Sequence, residues 1–369
     1  VLGVDALLAD GSAASFGFVD RFAEGSQEQR LAQQVRAIAE RVGPEIRDHF
    51  PKVLRRVGGY NLDLFDCQNP MPYDPDGRAN LAHLLVGSEG TLGVSQRIKL
   101  RLSPLPEQKV LGVVNFPTFY QAMDFTQHIV KLGPTAVELV DRTMIELSLE
   151  NPAFRPVIEK ALIGKPEAIL LVEFAGHDHA KQLDALRGLN ELMGDLGLPG
   201  SVVDMPEAAE QKALWNVRKD GLNIMMSMKG DGKPVSFIED CAVPLEHLAE
   251  YTDKLTEVFN RYGTEGTWYA HAGVGTLHVR PILDMRRDGA EKMREIAELA
   301  SALVREYKGA YSGEHGDGLV RSEFHEAMFG ARMTDTFAEV KALFDPANMM
   351  NPGKIVAPSS SSIIRAAGK

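Results

Sequence analysis

Two short glycine-rich stretches hold the side chains best suited to chemistry. Tyr269-Ala-His-Ala-Gly-Val-Gly-Thr-Leu-His-Val-Arg280 sets two imidazoles around Gly273 and Gly275. On one regular strand His271 and His278 would face opposite ways, because their separation is odd, but a bulge or tight turn at the glycines brings both to one site. The second stretch, Tyr311-Ser-Gly-Glu-His-Gly-Asp-Gly318, places Glu314 and His315 between glycines that let the backbone come close to a ligand. An imidazole pair with a carboxylate, His271, His278 and Glu314, suits Zn²⁺ or a similar divalent ion with coordination positions left for substrate. Such a set could also activate water for hydrolysis with His315 as base. Two such segments in one regular domain favour a metal over purely structural histidines.

A third glycine run, Leu84-Leu-Val-Gly-Ser-Glu-Gly-Thr-Leu-Gly93, offers backbone N–H groups and hydroxyls at Gly87, Ser88, Gly90 and Thr91 with no bulky side chain in the way. A phosphate or an adenine edge needs such a surface, although a plain turn of small residues reads the same way. The run matches neither the P-loop nor the Rossmann glycine pattern, so ATP and nicotinamide cofactors are unsupported. Leu214-Trp-Asn-Val-Arg218 puts an arginine beside an aromatic residue on a helical surface, where its fork could clamp a carboxylate. Lys229 and Lys233 could add an anion contact or simply solvate a loop.

The elements that must position these groups alternate along the chain. The opening residues read as a strand running into an Asp10-Gly11 hairpin turn, which resembles the middle of a domain. Ser26 and Gln29 form a capping box for a helix over 26–43, with Leu31, Val35, Ile38 and Val42 on one face and Gly43-Pro44 as its stop. Residues 94–103 have period two, with Val94, Ile98, Leu100 and Leu102 opposite Ser95, Arg97, Lys99 and Arg101, which predicts a strand with one wet face. Ser103-Pro-Leu-Pro106 then marks a domain boundary. Beyond it, strands are expected at 110–116, 135–140, 168–174, 235–243 and from 267. Helices are expected at 118–132, 178–196 (Leu183, Leu186, Leu189, Met193 and Leu196 inward), 245–261 and 289–308. The pattern is α+β, with two similar halves sharing one sheet as split βαβ units. Residues 358–369, rich in serine, read as a tail or linker.

The composition restricts the function class. A net charge of -11, with no dense Lys/Arg cluster, argues against a nucleic-acid surface and requires a local positive site for any anionic substrate. Cys67 and Cys241 lie far apart without CxxC spacing, so neither a disulfide framework nor an iron-sulfur cluster can be read from this chain, and a reducing, cytoplasmic setting is expected. No apolar run of membrane-spanning length and no signal peptide is visible, which predicts a soluble or at most membrane-peripheral protein.

Taken as an ordered set, Gly87-Ser-Glu-Gly-Thr-Leu-Gly93, Trp215-Asn-Val-Arg218, Glu239-Asp-Cys-Ala-Val-Pro244, His271 to His278, Glu314-His315-Gly316 and Asn351-Pro-Gly-Lys354 resemble the vanillyl-alcohol oxidase (PCMH) type of FAD-linked oxidoreductase, in the branch with D-lactate, glycolate and D-2-hydroxyglutarate dehydrogenases. The resemblance runs from residue 1 to about 357. It implies the second half of a PCMH-type FAD-binding domain over 1–103, a ferredoxin-like substrate or cap domain with a large antiparallel sheet over 104–340, and a return to the flavin domain over 341–357. It further implies FAD contacts from Gly87, Ser88, Gly90, Thr91, Gly93, Asn351 and Lys354, and a divalent metal on His271, His278 and Glu314. A 2-hydroxy acid would chelate that metal, with Arg218 on the carboxylate, His315 taking the hydroxyl proton and hydride passing to the flavin. Wording around Arg56-Val-Gly-Gly-Tyr-Asn-Leu62 and Val235-Ser-Phe-Ile-Glu-Asp240 is similar to long bacterial members fused to an iron-sulfur module, which implies that module or another acceptor as electron partner; family habit implies a homodimer. Thr276 stands where the family usually has Asn, and no Lys precedes the Asp240 position, so substrate identity stays open. The family's glycine-rich pyrophosphate-binding half lies upstream of what is Val1 here, so the chain is expected to carry the substrate and metal side of such a dehydrogenase, with a metal-dependent hydrolase or an inactive fragment lacking FAD as the alternatives.

Overall fold

The computed structural model describes residues 1–66 and 76–359; Cys67 and the tail from 360 onward lie outside the described residues. The chain forms two compact units, one of Val1–Lys52, Arg56–Ser103 and Ala310–Lys369, the other of Val53–Arg55 and Pro104–Gly309. The break at Ser103/Pro104 coincides with the proline-rich segment, and residues 310–340 group with the first unit.

In the first unit, β1 (Gly3–Leu7) and β2 (Ala13–Phe16) form the hairpin, its turn fixed by Asp10 Oδ1 accepting from Ser12 N (2.9 Å) and Ser12 Oγ (2.6 Å). β3 (Val94–Lys99) pairs antiparallel with the other side of β1. Both sides of β3 are exposed, Val94, Ile98, Leu100 and Leu102 being 55%, 54%, 57% and 85% accessible. The expected dry face is therefore absent among the described residues, because β3 is the edge of a sheet of three strands. The helix Gln27–Arg41 buries Leu31, Val35 and Ile38 and is capped by Ser26, whose side chain accepts from Gln29 N, while Gln29 reaches back to Gly25 N (2.7 Å). Gly43-Pro44 ends that helix but also starts another, Gly43–His49, because proline fits the first helical turn, where its missing N–H has no partner to lose.

The second unit is built on seven strands: β4 (Gln108–Phe116), β5 (Ala136–Asp141), β6 (Ala168–Gly176), β7 (Val202–Met205), β8 (Lys233–Pro234), β9 (Gly266–His271) and β10 (Thr276–Leu283), ordered β7-β4-β6-β5-β9-β10-β8 with antiparallel pairing throughout. β4-helix-β5-β6-helix-β7, spatially β7-β4-β6-β5, is a ferredoxin-like half. β8-helix-β9-β10-helix repeats the scheme with three strands. One sheet face, carrying Leu111, Val113, Val140, Ile169 and Leu171, packs with Met144, Ile158, Leu214, Val217 and Ile224 into a dry core. Each such side chain contributes about 1.5–3 kcal/mol by leaving water. The helices Phe119–Ile129, His179–Asp195 and Leu248–Arg261 serve the opposite face.

Two expectations change here. In His179–Asp195, Leu186, Leu189 and Met193 are buried, but Leu183 is 36% exposed because it lies at the edge of the apolar stripe. The strand expected at 235–243 is not a regular strand: β8 ends at Pro234, and the run beyond it carries one isolated bridge, Ala242 to Thr276. It follows β10 through bonds from Val235 N to Pro281 O (2.9 Å), Leu277 N to Cys241 O (2.9 Å) and Val243 N to Gly275 O (3.1 Å), and Asp240, held at φ 93°, breaks the extended run. No described helix is long and apolar enough to cross a membrane.

Candidate functional site

In the second unit, β9 ends on His271, a turn of 3₁₀ helix spans Ala272–Val274, and β10 begins at Thr276. Gly275 sits at φ 71°, and a Cβ there would lie 2.1 Å from Val243 O, so only glycine closes this hairpin. Pairing sets His278 opposite Tyr269 and Thr276 opposite His271. His271 and His278 therefore share a face as diagonal cross-strand neighbours, with ring centroids 5.0 Å apart. His271 is partly open and His278 is buried.

Three further groups share that face. Glu138 on β5 places Oε1 2.7 Å from His271 Nδ1 and accepts from Arg218 Nη2 at 2.7 Å through Oε2. Arg218 comes from the helix Ala208–Lys219 and stacks over Tyr269, its guanidinium carbon 4.7 Å from the ring centre. The sequence-chosen imidazole and guanidinium thus meet at one carboxylate that sequence reasoning passed over. Asp240, part of the Glu239–Pro244 motif but given no ligand role from sequence, is fully buried and carries a side-chain donor within 4.8 Å of one on His278. Glutamate, aspartate and histidine donors of this kind fit a borderline divalent cation such as Zn²⁺. Thr276 Oγ1 is buried without a partner among the described residues. Lys229 is exposed, whereas Lys233 lies in β8 and donates its ammonium to Met228 O, a structural bond rather than a ligand contact. Cys241 is buried, with Sγ donating to Ile238 O at 3.4 Å.

In the first unit, Glu314 and His315 are exposed, and their donors also lie within 4.8 Å of each other. The loop that presents them is shaped by Glu89: its Oε1 accepts from Asp317 N (2.5 Å) and Gly318 N (3.0 Å), and a Cβ on Gly316, which sits at φ 87°, would meet that oxygen at 2.6 Å. Burial, the largest influence on Glu89, raises its pKa, while these N–H bonds pull the other way. Asp317 Oδ2 accepts from Gly59 N (2.9 Å), and its Oδ1 lies 2.9 Å from His325 Nε2. His325 Nδ1 donates to Ile355 O at 2.9 Å. Burial favours the neutral His325 ring, yet the adjacent Asp317 carboxylate and these bonds outweigh it and raise the pKa above the ordinary histidine value.

The 87–93 loop spends its hydroxyls on itself. Ser88 Oγ donates to Leu85 O (2.8 Å), Thr91 Oγ1 donates to Ser88 O (2.6 Å), and Tyr60 Oη shares Thr91 Oγ1 (2.8 Å). The loop backbone is most open at Gly90, where a Cβ would meet nothing within 4 Å. A Cβ on Gly87 would meet Val57 Cγ1 at 3.0 Å, and one on Gly93 would meet Leu7 O at 3.1 Å. Asn351 Nδ2 donates to Glu89 O (2.7 Å), which fastens the carboxyl-terminal segment to this loop, and Lys354, three residues on, is partly exposed.

The model of the family "FAD linked oxidases, C-terminal domain" matches residues 105–355. The chain is 32% identical over 348 residues to a D-2-hydroxyglutarate dehydrogenase of Pantoea ananatis, covering 90% of this chain and 33% of that protein. It is 34% identical over 323 residues to that of Escherichia coli, covering 85% and 31%. Against a D-lactate dehydrogenase of Archaeoglobus fulgidus it is 31% identical over 279 residues, covering 75% and 58%. It therefore spans about a third of the D-2-hydroxyglutarate relatives. The solved p-cresol methylhydroxylase, with substrate bound, superposes with a TM-score of 0.63 at 12% identity over 96% of this chain and 65% of that one, and 4-ethylphenol oxidase from Gulosibacter chungangensis gives 0.59 at 14% over 97% and 66%; both likenesses concern the fold.

Proposed function

This chain belongs to the FAD-linked oxidases, and from that premise we propose that it supplies the substrate and metal side of a dehydrogenase that oxidises a D-2-hydroxy acid of the D-lactate or D-2-hydroxyglutarate class to the 2-oxo acid. The observation that carries this reading is the Glu138 carboxylate, which joins His271 to Arg218 on the face that also holds His278. That face offers metal donors and a guanidinium together, the two things a 2-hydroxy carboxylate needs.

In this reading His271 and His278 hold the divalent cation, with Asp240 as a further carboxylate beside His278. The cation supplies Lewis acidity that lowers the pKa of the substrate hydroxyl, and FAD supplies the hydride acceptor. Arg218, braced by Glu138 and by the Tyr269 ring, fixes the substrate carboxylate. His315 accepts the hydroxyl proton. The backbone at Gly87, Gly90 and Gly93, with Ser88, Thr91, Asn351 and Lys354, holds the cofactor, the Ser88 and Thr91 hydroxyls also shaping that loop. Electrons then leave to an iron-sulfur module or another acceptor.

The test uses the protein at its full natural length, loaded with FAD, against D-lactate, D-2-hydroxyglutarate, glycolate and D-malate with a dye acceptor. Turnover of a D-isomer is expected; reaction of L-isomers alone would refute the assignment. His315→Asn should lower the rate by roughly 10²–10⁴ with metal content unchanged, whereas His271→Ala should lose metal. Should His315→Asn keep its rate, the base lies elsewhere.

A further inference from the structure

One cation on the site face has no role in the reading above. Arg280 follows His278 by two residues on β10, so both side chains leave the strand on the same side. It is only 6% exposed. Its Nη1 donates to Tyr269 Oη at 2.6 Å, and its guanidinium carbon lies 5.1 Å from the centre of that ring. Among the described residues no carboxylate pairs with it, and its Nε and Nη2 have no hydrogen-bond partner yet are not sealed from solvent. Arg218, against the same ring, is neutralised by Glu138. Two guanidiniums thus flank one tyrosine, and only one has its counter-charge in the protein.

A guanidinium this enclosed costs free energy unless an anion meets it, and interiors normally supply an acidic side chain. We propose that Arg280 receives the distal carboxylate of a dicarboxylic 2-hydroxy acid, so that the site selects that class over D-lactate. The identity of the substrate's other end rests on the dehydrogenase reading. A distal carboxylate replaces the lost water with charge-assisted N–H···O bonds from Nε and Nη2, in the bidentate geometry the guanidinium fork allows. The methyl group of lactate would strip the same water and return nothing. The penalty for a substrate lacking the matching group is larger than the gain from an extra apolar contact.

The experiment has a binding arm and a turnover arm. By calorimetry, glutarate should bind the wild-type chain at least tenfold more tightly than propionate. Arg280→Met should weaken glutarate by roughly 30-fold, about 2 kcal/mol, leave propionate unchanged, and keep the wild-type melting temperature within a few degrees. Arg280→Lys should fall between. Equal affinity of wild type for glutarate and propionate overturns the proposal without any variant, and so does an Arg280→Met that binds glutarate normally. In FAD-loaded full-length enzyme, Arg280→Met should raise KM for D-2-hydroxyglutarate and leave kcat/KM for D-lactate unaltered. An equal loss on both substrates sinks the subsite while the dehydrogenase reading stands. Selective glutarate binding lost in Arg280→Met, in an enzyme that oxidises no 2-hydroxy acid, sinks the dehydrogenase reading while the subsite stands.

Discussion

Glu138 divides its two oxygens between the two kinds of positive group that the site needs. With Oε1 accepting from Nδ1, the His271 proton is fixed on that nitrogen and Nε2 is left as the ligand atom, the arrangement in which a carboxylate orients a metal-binding imidazole. With Oε2 bound to Arg218, the guanidinium is both placed and compensated. Glu138→Gln keeps the shape and removes the charge, and it should weaken metal retention or turnover roughly 10–100-fold. Glu138→Ala goes further. It leaves Arg218, 11% exposed, without a counter-charge, and should destabilise the chain by about 3–5 kcal/mol. Chelator competition and denaturant melts separate the two effects; a Glu138→Gln chain that holds metal as the wild type does would show that His271 is not oriented in this way.

At the scale of elements, the end of β5 does for the fold what its middle does for the site. Asp141 Oδ1 accepts from Met144 N at 2.8 Å and caps the helix Arg142–Glu150, while Oδ2 accepts from Trp268 N at 2.8 Å and ties that helix start to β9. Burial pushes its carboxyl up to about 7, against the two N–H bonds that favour the anion. Because the folded pKa lies above the unfolded value of 3.8, the folded state keeps a proton that the unfolded chain has released. The resulting stabilisation is complete below that value and is lost as pH rises through about 7. Asp141→Asn should flatten this fall between pH 4 and 7, and Asp141→Ala should also cost about 1–2 kcal/mol as a lost cap; urea midpoints across that range decide it, and parallel wild-type and Asp141→Asn curves would refute the titration. Local pattern made most of these elements legible, because periodicity, caps and Gly-Pro stops act within a few residues. It also showed that a bulge or tight turn at the glycines could unite His271 and His278, and the tight turn of the β9–β10 hairpin is the one that forms. Glu138 stayed hidden because a single acid in an apolar strand carries no period, and the roles of Asp240, Glu89 and Asp317, though these lie inside recognised motifs, were illegible because their partners are distant in sequence. The 87–93 loop stays ambiguous for a related reason: a run of small residues reads alike whether it cradles a ligand or bonds to itself, and the bonds Ser88 and Thr91 donate within the loop are compatible with either.

For the whole molecule, the two units differ in how the chain supplies them. The first draws its polar supports from remote stretches. Buried Lys341 donates to Thr91 O (2.7 Å), Met350 O (2.6 Å) and Asp345 Oδ2 (2.5 Å), and Asp317 holds Gly59 N. Phe337 stands edge-on to Tyr60 at 5.8 Å. None of these can form until the carboxyl-terminal segment has arrived, so the first unit depends on late, non-local contacts. The second is continuous but for Val53–Arg55 and has the seven-stranded sheet and its own dry core. Residues 104–309 expressed alone should therefore fold, with mixed helix and sheet in far-ultraviolet dichroism and one cooperative melt. A chain ending at Gly309 should show that same melt, while its first 103 residues, lacking Lys341 and Phe337, become protease-sensitive and bind a hydrophobic dye. Loss of the cooperative melt in 104–309 would mean that the sheet draws its stability from outside its own core, and the division into separately founded units would fail.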